Sequence, residues 1–405
     1  MFKFDEKTVK EAPWLENKEI DVSVKIMVKW GIIHHPKIRT YFFMLSLAIL
    51  NVQQYIQVYY FIMENQFHEI IFEGFYAMCA TNVLLKEIFI LLNHHEVEEF
   101  LMYFHGLIEE VANSPDSDIR RNFANDTKYT KMFSVFNYSC CIMGACIFTL
   151  YSILFEDNNE RRVSIYKTWA PFDQSRTPIY QLVFFFQFYV TISALLIYTP
   201  WMTLMVKFTV FGATLYKCIT NSVVKSFEEF FQKENDGSYV LKNLRPEVAK
   251  VLLEKMKYTV RQHYKCLNYA NKLSDLFAQI FSIEYIIQSL SLVMVLFNLN
   301  VVTNRLEIFI HICYVVMNLL VSFLFNLHAQ LLQIQNEKFL EALYNSPWYI
   351  MPKRCQFYVQ MLLKQSQSPP TITVCGMFPL DLAAFQTMIN RSYTYYTLLR
   401  TLMAD

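Results

Sequence analysis

The sequence predicts an all-α membrane protein of seven transmembrane helices, with the N-terminus cytosolic and the C-terminus extracellular. Composition is the first observation. The 405 residues are 54% hydrophobic and 17% aromatic with only 7 glycines, too apolar for an ordinary soluble enzyme. The second is a set of seven stretches long enough to cross a hydrocarbon core of ~30 Å at ~1.5 Å per residue. The third is charge asymmetry. Segments placed inside carry 28 Lys and Arg, and outside loops carry 5, so positive charge stays on the cytosolic side. A formal net charge of +1 gives no sign of a nucleic-acid partner.

Residues 1–40 form a cytosolic N-terminal segment with no apolar core of a signal peptide, so the chain is expected to start in the cytosol. Residues 41–206 hold spans one to four. Tyr41 to Met63 is uncharged, with a polar stripe at Gln53, Gln54 and Gln57, and Glu69 to Leu92 is interrupted by Glu73, Lys86 and Glu87. Such charges belong at span ends or facing the bundle. An amphipathic piece, HEVEEFLMYFHGLIEEV, lies in the next polar connection; Met132 to Phe155 is span three and Thr177 to Val206 is span four. Thirty uncharged residues measure ~45 Å as a helix, so span four tilts or runs on into the cytosol.

Residues 207–275 read as a basic, helical cytosolic extension and linker. Its apolar positions include Val251, Leu252, Met256, Val260 and Tyr264, and Pro246 suits a helix start. Spans five (Leu276 to Asn300, interrupted by Glu284) and six (Ile308 to Ile334) fill 276–334. A cytosolic anchor helix and connector occupy 335–379, where Pro369-Pro370 ends the helix. The last span, in 380–405, carries Gln386, Asn390, Arg391, Ser392 and Thr394 among apolar residues. An arginine facing lipid is costly, so this helix turns its polar side to protein or water.

No catalytic, metal or cofactor pattern is present: CxxC, HExxH, GxSxG, a phosphate loop and a Walker motif are all missing, which excludes the common enzyme classes. His94-His95-Glu96 reads as a solvated interfacial face. The cysteines (79, 140, 141, 146, 218, 266, 313, 355, 375) avoid the outside loops, so they read as small buried groups without disulfides. The sequons at Asn125, Asn137 and Asn390 fall inside or within the membrane, where glycosylation is not expected.

The run ALYNSPWY, the basic helix ending MLLKQSQSPP, the GMFPLDLAAF turn and the SYTYYTLLR ending resemble, in order and spacing, the C-terminal signature of insect odorant receptors. The resemblance covers about the last seventy residues in motifs and the rest in span layout. It implies an odorant-gated, non-selective cation channel subunit in the plasma membrane of olfactory sensory neurons. In that family four subunits assemble, usually as a heterotetramer of a tuning subunit with a shared co-receptor, and the last helix lines a central pore for cations. Residues 208–275 and 327–367 would form the inter-subunit anchor.

By the match to YYTLLRTL, Leu398 and Leu402 are gate candidates on one helix face, with Thr401 at the neighbouring polar position. The volatile ligand would sit in a small apolar cavity in the outer half of the bundle, between spans two, three, four and six. Candidates are Phe72, Phe75 and Tyr76 on span two, Cys141, Gly144 and Phe148 on span three, Phe184, Phe188 and Thr191 on span four, and Tyr314 on span six. Each could equally be core packing, since aromatic stripes at helical spacing usually are.

The chain lacks the co-receptor's long loop between spans four and five, which favours a tuning subunit. A gustatory receptor of the same superfamily and a G-protein-coupled receptor remain as alternatives. The missing TYxxxxxQF-type ending weighs against the first, and the inverted topology and missing DRY and NPxxY motifs against the second. A transporter would need an internal repeat with broken helices, and none is visible.

Overall fold

The apolar stretches fold as helices, and several continue far past the membrane-spanning length. The structure, a computed structural model, describes residues 22–33, 37–154, 164–174, 176–233, 239–241, 246–302, 305–374 and 376–402. Among these, ten α-helices follow in order: α1 (Val22–Trp30), α2 (Ile38–Met63), α3 (Phe67–Leu92), α4 (His94–Ala112), α5 (Ser117–Leu154), α6 (Ile179–Phe230), α7 (Pro246–Val301), α8 (Arg305–Tyr344), α9 (Lys353–Ser366) and α10 (Leu382–Leu402). Two small antiparallel ladders join Phe231–Lys233 (β1) to Tyr239–Leu241 (β2) and Thr373–Val374 (β3) to Phe378–Pro379 (β4). Gly376, at φ +67, supplies the left-handed residue that the second tight hairpin needs.

The long loops of the chain are mostly helix. α6 runs through span four and beyond it as one helix of 52 residues, and α7 unites the basic extension with span five in 56. Pro246 is the first residue of α7, where its missing N–H has no helical partner to lose. α5 begins at Ser117, well before the apolar stretch: Asp116 Oδ1 accepts the Asp118 N–H at 2.9 Å and caps a polar start that carries no hydropathy signal. The amphipathic piece is α4, with Val97, Phe100, Leu101, Phe104, Leu107, Ile108 and Val111 buried on one side.

Among the described residues, four helices are long and apolar enough to cross a membrane by length and composition, over Glu69–Leu92, Ile179–Phe230, Glu247–Asn300 and Ile308–Tyr344. The second half of α5 is an uncharged apolar run, and α2 and α10 have the length but more polar residues. In α2 these face protein: Asn51 Nδ2 donates to Ala77 O and Thr81 Oγ1 of α3, both at 3.0 Å, and Gln54 is buried.

We call the end of the bundle that carries residues 164–174 the loop end, and the end where α6, α7 and α8 extend beyond the spans the anchor end. At the anchor end α4, α6, α7, α8 and α9 enclose an aromatic core. Phe104 meets Phe208 and Phe211 at ring-centre distances of 4.9 and 5.1 Å, Phe100 meets Phe277 at 5.5 Å, and Tyr269 donates to Phe208 O at 2.8 Å. Gly212 lets the helices close in, since a Cβ there would meet Leu332 Cδ1 at 3.1 Å. His263 is buried in the same region, stacked on Phe339 at 5.1 Å with Nε2 3.3 Å from Ser366 Oγ. Burial away from water pushes its pKa down to about 4.

The expected apolar seam of 251–264 is only partly a seam. Leu252 and Met256 are fully buried, whereas Val251 and Tyr264 are exposed. At about 100° per residue Val251 lies roughly 140° around the helix from Met256, so one packed face cannot hold both.

Candidate functional site

At the loop end, the rings of α3 and α8 close into a cluster under an inter-helix segment. Phe75 meets Tyr314 edge-on at 4.6 Å, Phe72 and Phe75 meet Tyr76 at 5.3 and 5.2 Å, and Phe72 meets His311 at 5.6 Å. Tyr166, in the segment between α5 and α6, adds its ring to Tyr76 at 5.5 Å and its hydroxyl to Thr191 Oγ1 of α6 at 3.0 Å. Cys79 Sγ lies 3.3 Å from the Tyr314 hydroxyl.

The segment is tied down from both sides. Gln187 of α6, almost fully buried, accepts the Tyr166 N–H at 3.0 Å and donates to Tyr166 O and Thr168 Oγ1 at 3.1 Å each. On α3, Glu69 takes the Lys167 ammonium with both oxygens at 2.7 and 2.8 Å, and Glu73 Oε1 accepts the Lys167 N–H at 3.3 Å. Trp169 stacks on Tyr60 of α2 at 6.4 Å, and its backbone N–H donates to Gln53 O at 3.3 Å.

About 15 Å along α3 from Tyr76, a polar node crosses the bundle. Lys86 pairs with Glu284 of α7, with both side chains at most 3% exposed. Glu284 also accepts from Tyr198 at 3.1 Å, Gln288 at 2.7 Å and Asn82 at 3.2 Å, and Gln288 Oε1 accepts from Ser322 of α8 at 2.7 Å. Two charges can stay inside an apolar bundle because they neutralise each other, with Glu284 also hydrogen-bonded and Lys86 set over the Tyr198 ring at 4.3 Å. On the next turn of α7, Tyr285 donates to Ala384 O of α10 at 3.0 Å, and Ser289 O accepts from Ser392 of α10 at 3.2 Å.

α10 is held by a narrow stripe. Leu380, just before it, and Ala384, Met388 and Ser392 recur every fourth residue and are buried, while Tyr393, Tyr395 and Leu398 are exposed in the single chain. Thr401 is also exposed, its hydroxyl donating back to Leu398 O at 2.8 Å. Leu402 ends the helix, and its side chain lies outside the described residues.

Five of the ten predicted pocket residues therefore meet in one place: Phe72, Phe75, Tyr76, Tyr314 and, through Tyr166, Thr191. The others stand apart. Phe184 contacts Tyr180 and Phe185 of its own helix, and Phe188 is 39% exposed. Cys141 is half-buried and donates to Asn137 Oδ1 at 3.8 Å; Gly144 is exposed, with nothing within 4 Å of an added Cβ. The Phe148 side chain lies outside the described residues, as does Cys375, and the eight described cysteines are free thiols. Sequence reasoning missed Tyr166, Cys79, His311 and Gln187. An apolar pair, Ile165-Tyr166, inside a charged loop was the available signal for the first.

This is a seven-span membrane receptor fold with an aromatic cluster near one end of the bundle. Residues 66–393 match the 7tm Odorant receptor family, and the chain belongs to that family. It is 25% identical to Odorant receptor 10 of Aedes albopictus, covering 83% of this chain and 85% of that one. It is 24% identical to Odorant receptor Or2 of Anopheles gambiae, over 94% and 97%. In fold it is similar to the insect olfactory receptor OR5 from Machilis hrabei, with a TM-score of 0.73 and 14% identity over 90% of this chain and 89% of that one. The structure of that receptor in complex with eugenol matches with a TM-score of 0.69 and 14% identity, covering 88% of each chain. The protein is an insect odorant receptor, a multi-pass membrane protein and not an enzyme.

Proposed function

We propose that the chain is a tuning subunit of an odorant-gated, non-selective cation channel, working in a heterotetramer with the odorant receptor co-receptor. A volatile ligand enters the aromatic cluster of Phe72, Phe75, Tyr76, Tyr166 and Tyr314, and its binding opens a pore lined by α10. In this reading Leu398 and Leu402 form the hydrophobic gate and Thr401 the adjoining polar ring. The loop end faces outward and the anchor end the cytosol, in the plasma membrane of olfactory sensory neurons.

The observation that carries the reading is the partial burial of α10. One row of small and apolar residues docks it on the chain, and the rest of its surface, rich in Thr and Tyr, is left for other subunits and water. A ring of leucines on that surface blocks ions by dewetting and conducts once the helices part. The anchor core, built like that of a soluble protein, suits a region where subunits join.

The test is electrical. With the co-receptor present, a panel of volatiles should evoke currents that survive blockade of G proteins, and Leu398→Thr should raise the resting current. Currents that vanish on G-protein blockade would sink the channel reading. A tag after Asp405 that stains only permeabilised cells would sink the topology and the gate assignment with it.

A further inference from the structure

Beside the aromatic cluster lies a polar atom that the described residues leave unused. Glu73 is 1% exposed, and Lys167 N–H reaches its Oε1, but Oε2 is buried with no hydrogen-bond partner among the described residues. The neighbouring polar groups are engaged. The Tyr166 hydroxyl is bonded to Thr191, the Tyr314 hydroxyl lies against Cys79, and Gln187 holds the Tyr166 and Thr168 backbone and hydroxyl. Nor does neutralising Lys167 require Glu73, because Glu69 takes that ammonium with both oxygens. Glu69 and Lys167 are thus the charged groups beside Glu73, and they are satisfied by each other.

A buried acceptor left unpaired is unfavourable, and a ligand that donates to it removes that cost. A site built around such an acceptor also rejects isosteres that lack the donor, far more sharply than an apolar pocket rejects a change of shape. The surrounding rings, Tyr76 and Phe72 with Phe75 behind them, supply faces for an apolar body and attract a partly positive N–H or O–H.

We propose that the ligand of this receptor is a small apolar molecule carrying one hydrogen-bond donor, an amine N–H or an alcohol O–H, which Glu73 Oε2 accepts beneath the segment bearing Tyr166. The inference rests on the receptor reading above and names the ligand class of the same pocket.

The experiment uses isosteric triplets that differ only in the terminal group: benzylamine, benzyl alcohol and ethylbenzene, and the matching amine, alcohol and methyl compounds on cyclohexylmethyl, hexyl and naphthylmethyl bodies. The full chain is expressed with the co-receptor, currents are recorded as dose–response curves, and surface labelling checks delivery of each variant. Agonists should concentrate among the amine and alcohol members. Glu73→Met should raise their half-maximal concentrations roughly threefold to tenfold, the worth of a buried hydrogen bond, and move any active methyl member by less, the variant's loss of the Lys167 N–H tether being common to both. Glu73→Asp, which keeps the carboxylate one methylene back, should give an intermediate shift.

A larger loss for amines than for alcohols assigns a charged ammonium as donor; equal losses assign a neutral one. Methyl members as potent as their partners, with potency unchanged in Glu73→Met and Glu73→Asp, overturn the inference and leave the receptor reading standing. Silence toward every member, with the wild-type chain at the surface, overturns the inference; silence that extends to a broad panel of unrelated volatiles overturns the receptor reading as well.

Discussion

Two halves of one helix divide the molecule. From Ile179 to Tyr198, α6 buries only Gln187, Val190, Ser193 and Ile197, and it turns Leu182 and Phe185 outward at 67% exposure each. From Thr199 to Ile219 it buries every residue except Lys217, threonines included. Apolarity does not explain the difference: the first stretch is the more apolar, and the second holds Lys207 and Lys217. The proposed placement explains it, since hydrocarbon accepts outward apolar side chains and gives no reason to cover them, whereas water at the anchor end would force them into a close-packed core. Packing therefore carries stability in the second half, and polar pairing carries it in the first.

Four measurements on detergent-purified protein sharpen or break that contrast. Phe208→Ala, in the centre of the anchor aromatics, should cost about 3–5 kcal/mol in unfolding free energy, because the cavity cannot close around Phe104 and Phe277. Lys86→Met in the bundle should cost almost as much, about 3–4 kcal/mol, by leaving Glu284 buried without its counter-ion. Adding Glu284→Gln to that variant should recover a large part of the loss; equal destabilisation by the single and double variants would show that the pair is not what matters there.

The third measurement is a pH titration of stability. His263 has a folded pKa of about 4, below its ordinary 6.5, because burial disfavours the charged ring. Below pH 6.5 the unfolded chain takes a proton that the folded one refuses. Stability should thus fall between about pH 6.5 and about 4, by up to about 3 kcal/mol, and level off for this group below that. His263→Phe should flatten the dependence in this window. The smallest effect is expected for Leu182→Ala, under about 0.5 kcal/mol, since its side chain has few protein neighbours to lose. A cost near that of Phe208→Ala would mean that Leu182 is covered by a partner subunit.

What could be read from the sequence follows the same divide. The long apolar helices were legible because a bilayer demands long apolar runs, and Pro246 marked its helix start because proline's missing N–H suits only a first turn. The polar start of α5 was not legible, since residues 117–131 show neither a run nor a clean stripe. Glu284 was visible as an interruption of span five and Lys86 as one of span two, yet nothing local says that they meet: the two are far apart in the chain, and their pairing depends on how α3 crosses α7. Phe72, Phe75 and Tyr76 were readable as aromatics in a span. Tyr166 was hidden because its place over them comes from a loop held by Gln187, Glu69 and Glu73.

Pro200 sits where the two halves of α6 meet. A proline has no N–H, so the carbonyl of Leu196 loses its rung, and the helix is softest to bending at that point. The stretch on the anchor side is buried on all faces, and the other turns side chains such as Leu182 and Phe185 outward. A sideways push at Thr191 would therefore pivot about Pro200 like a lever on a fixed post, swinging the loop end and leaving the anchor still.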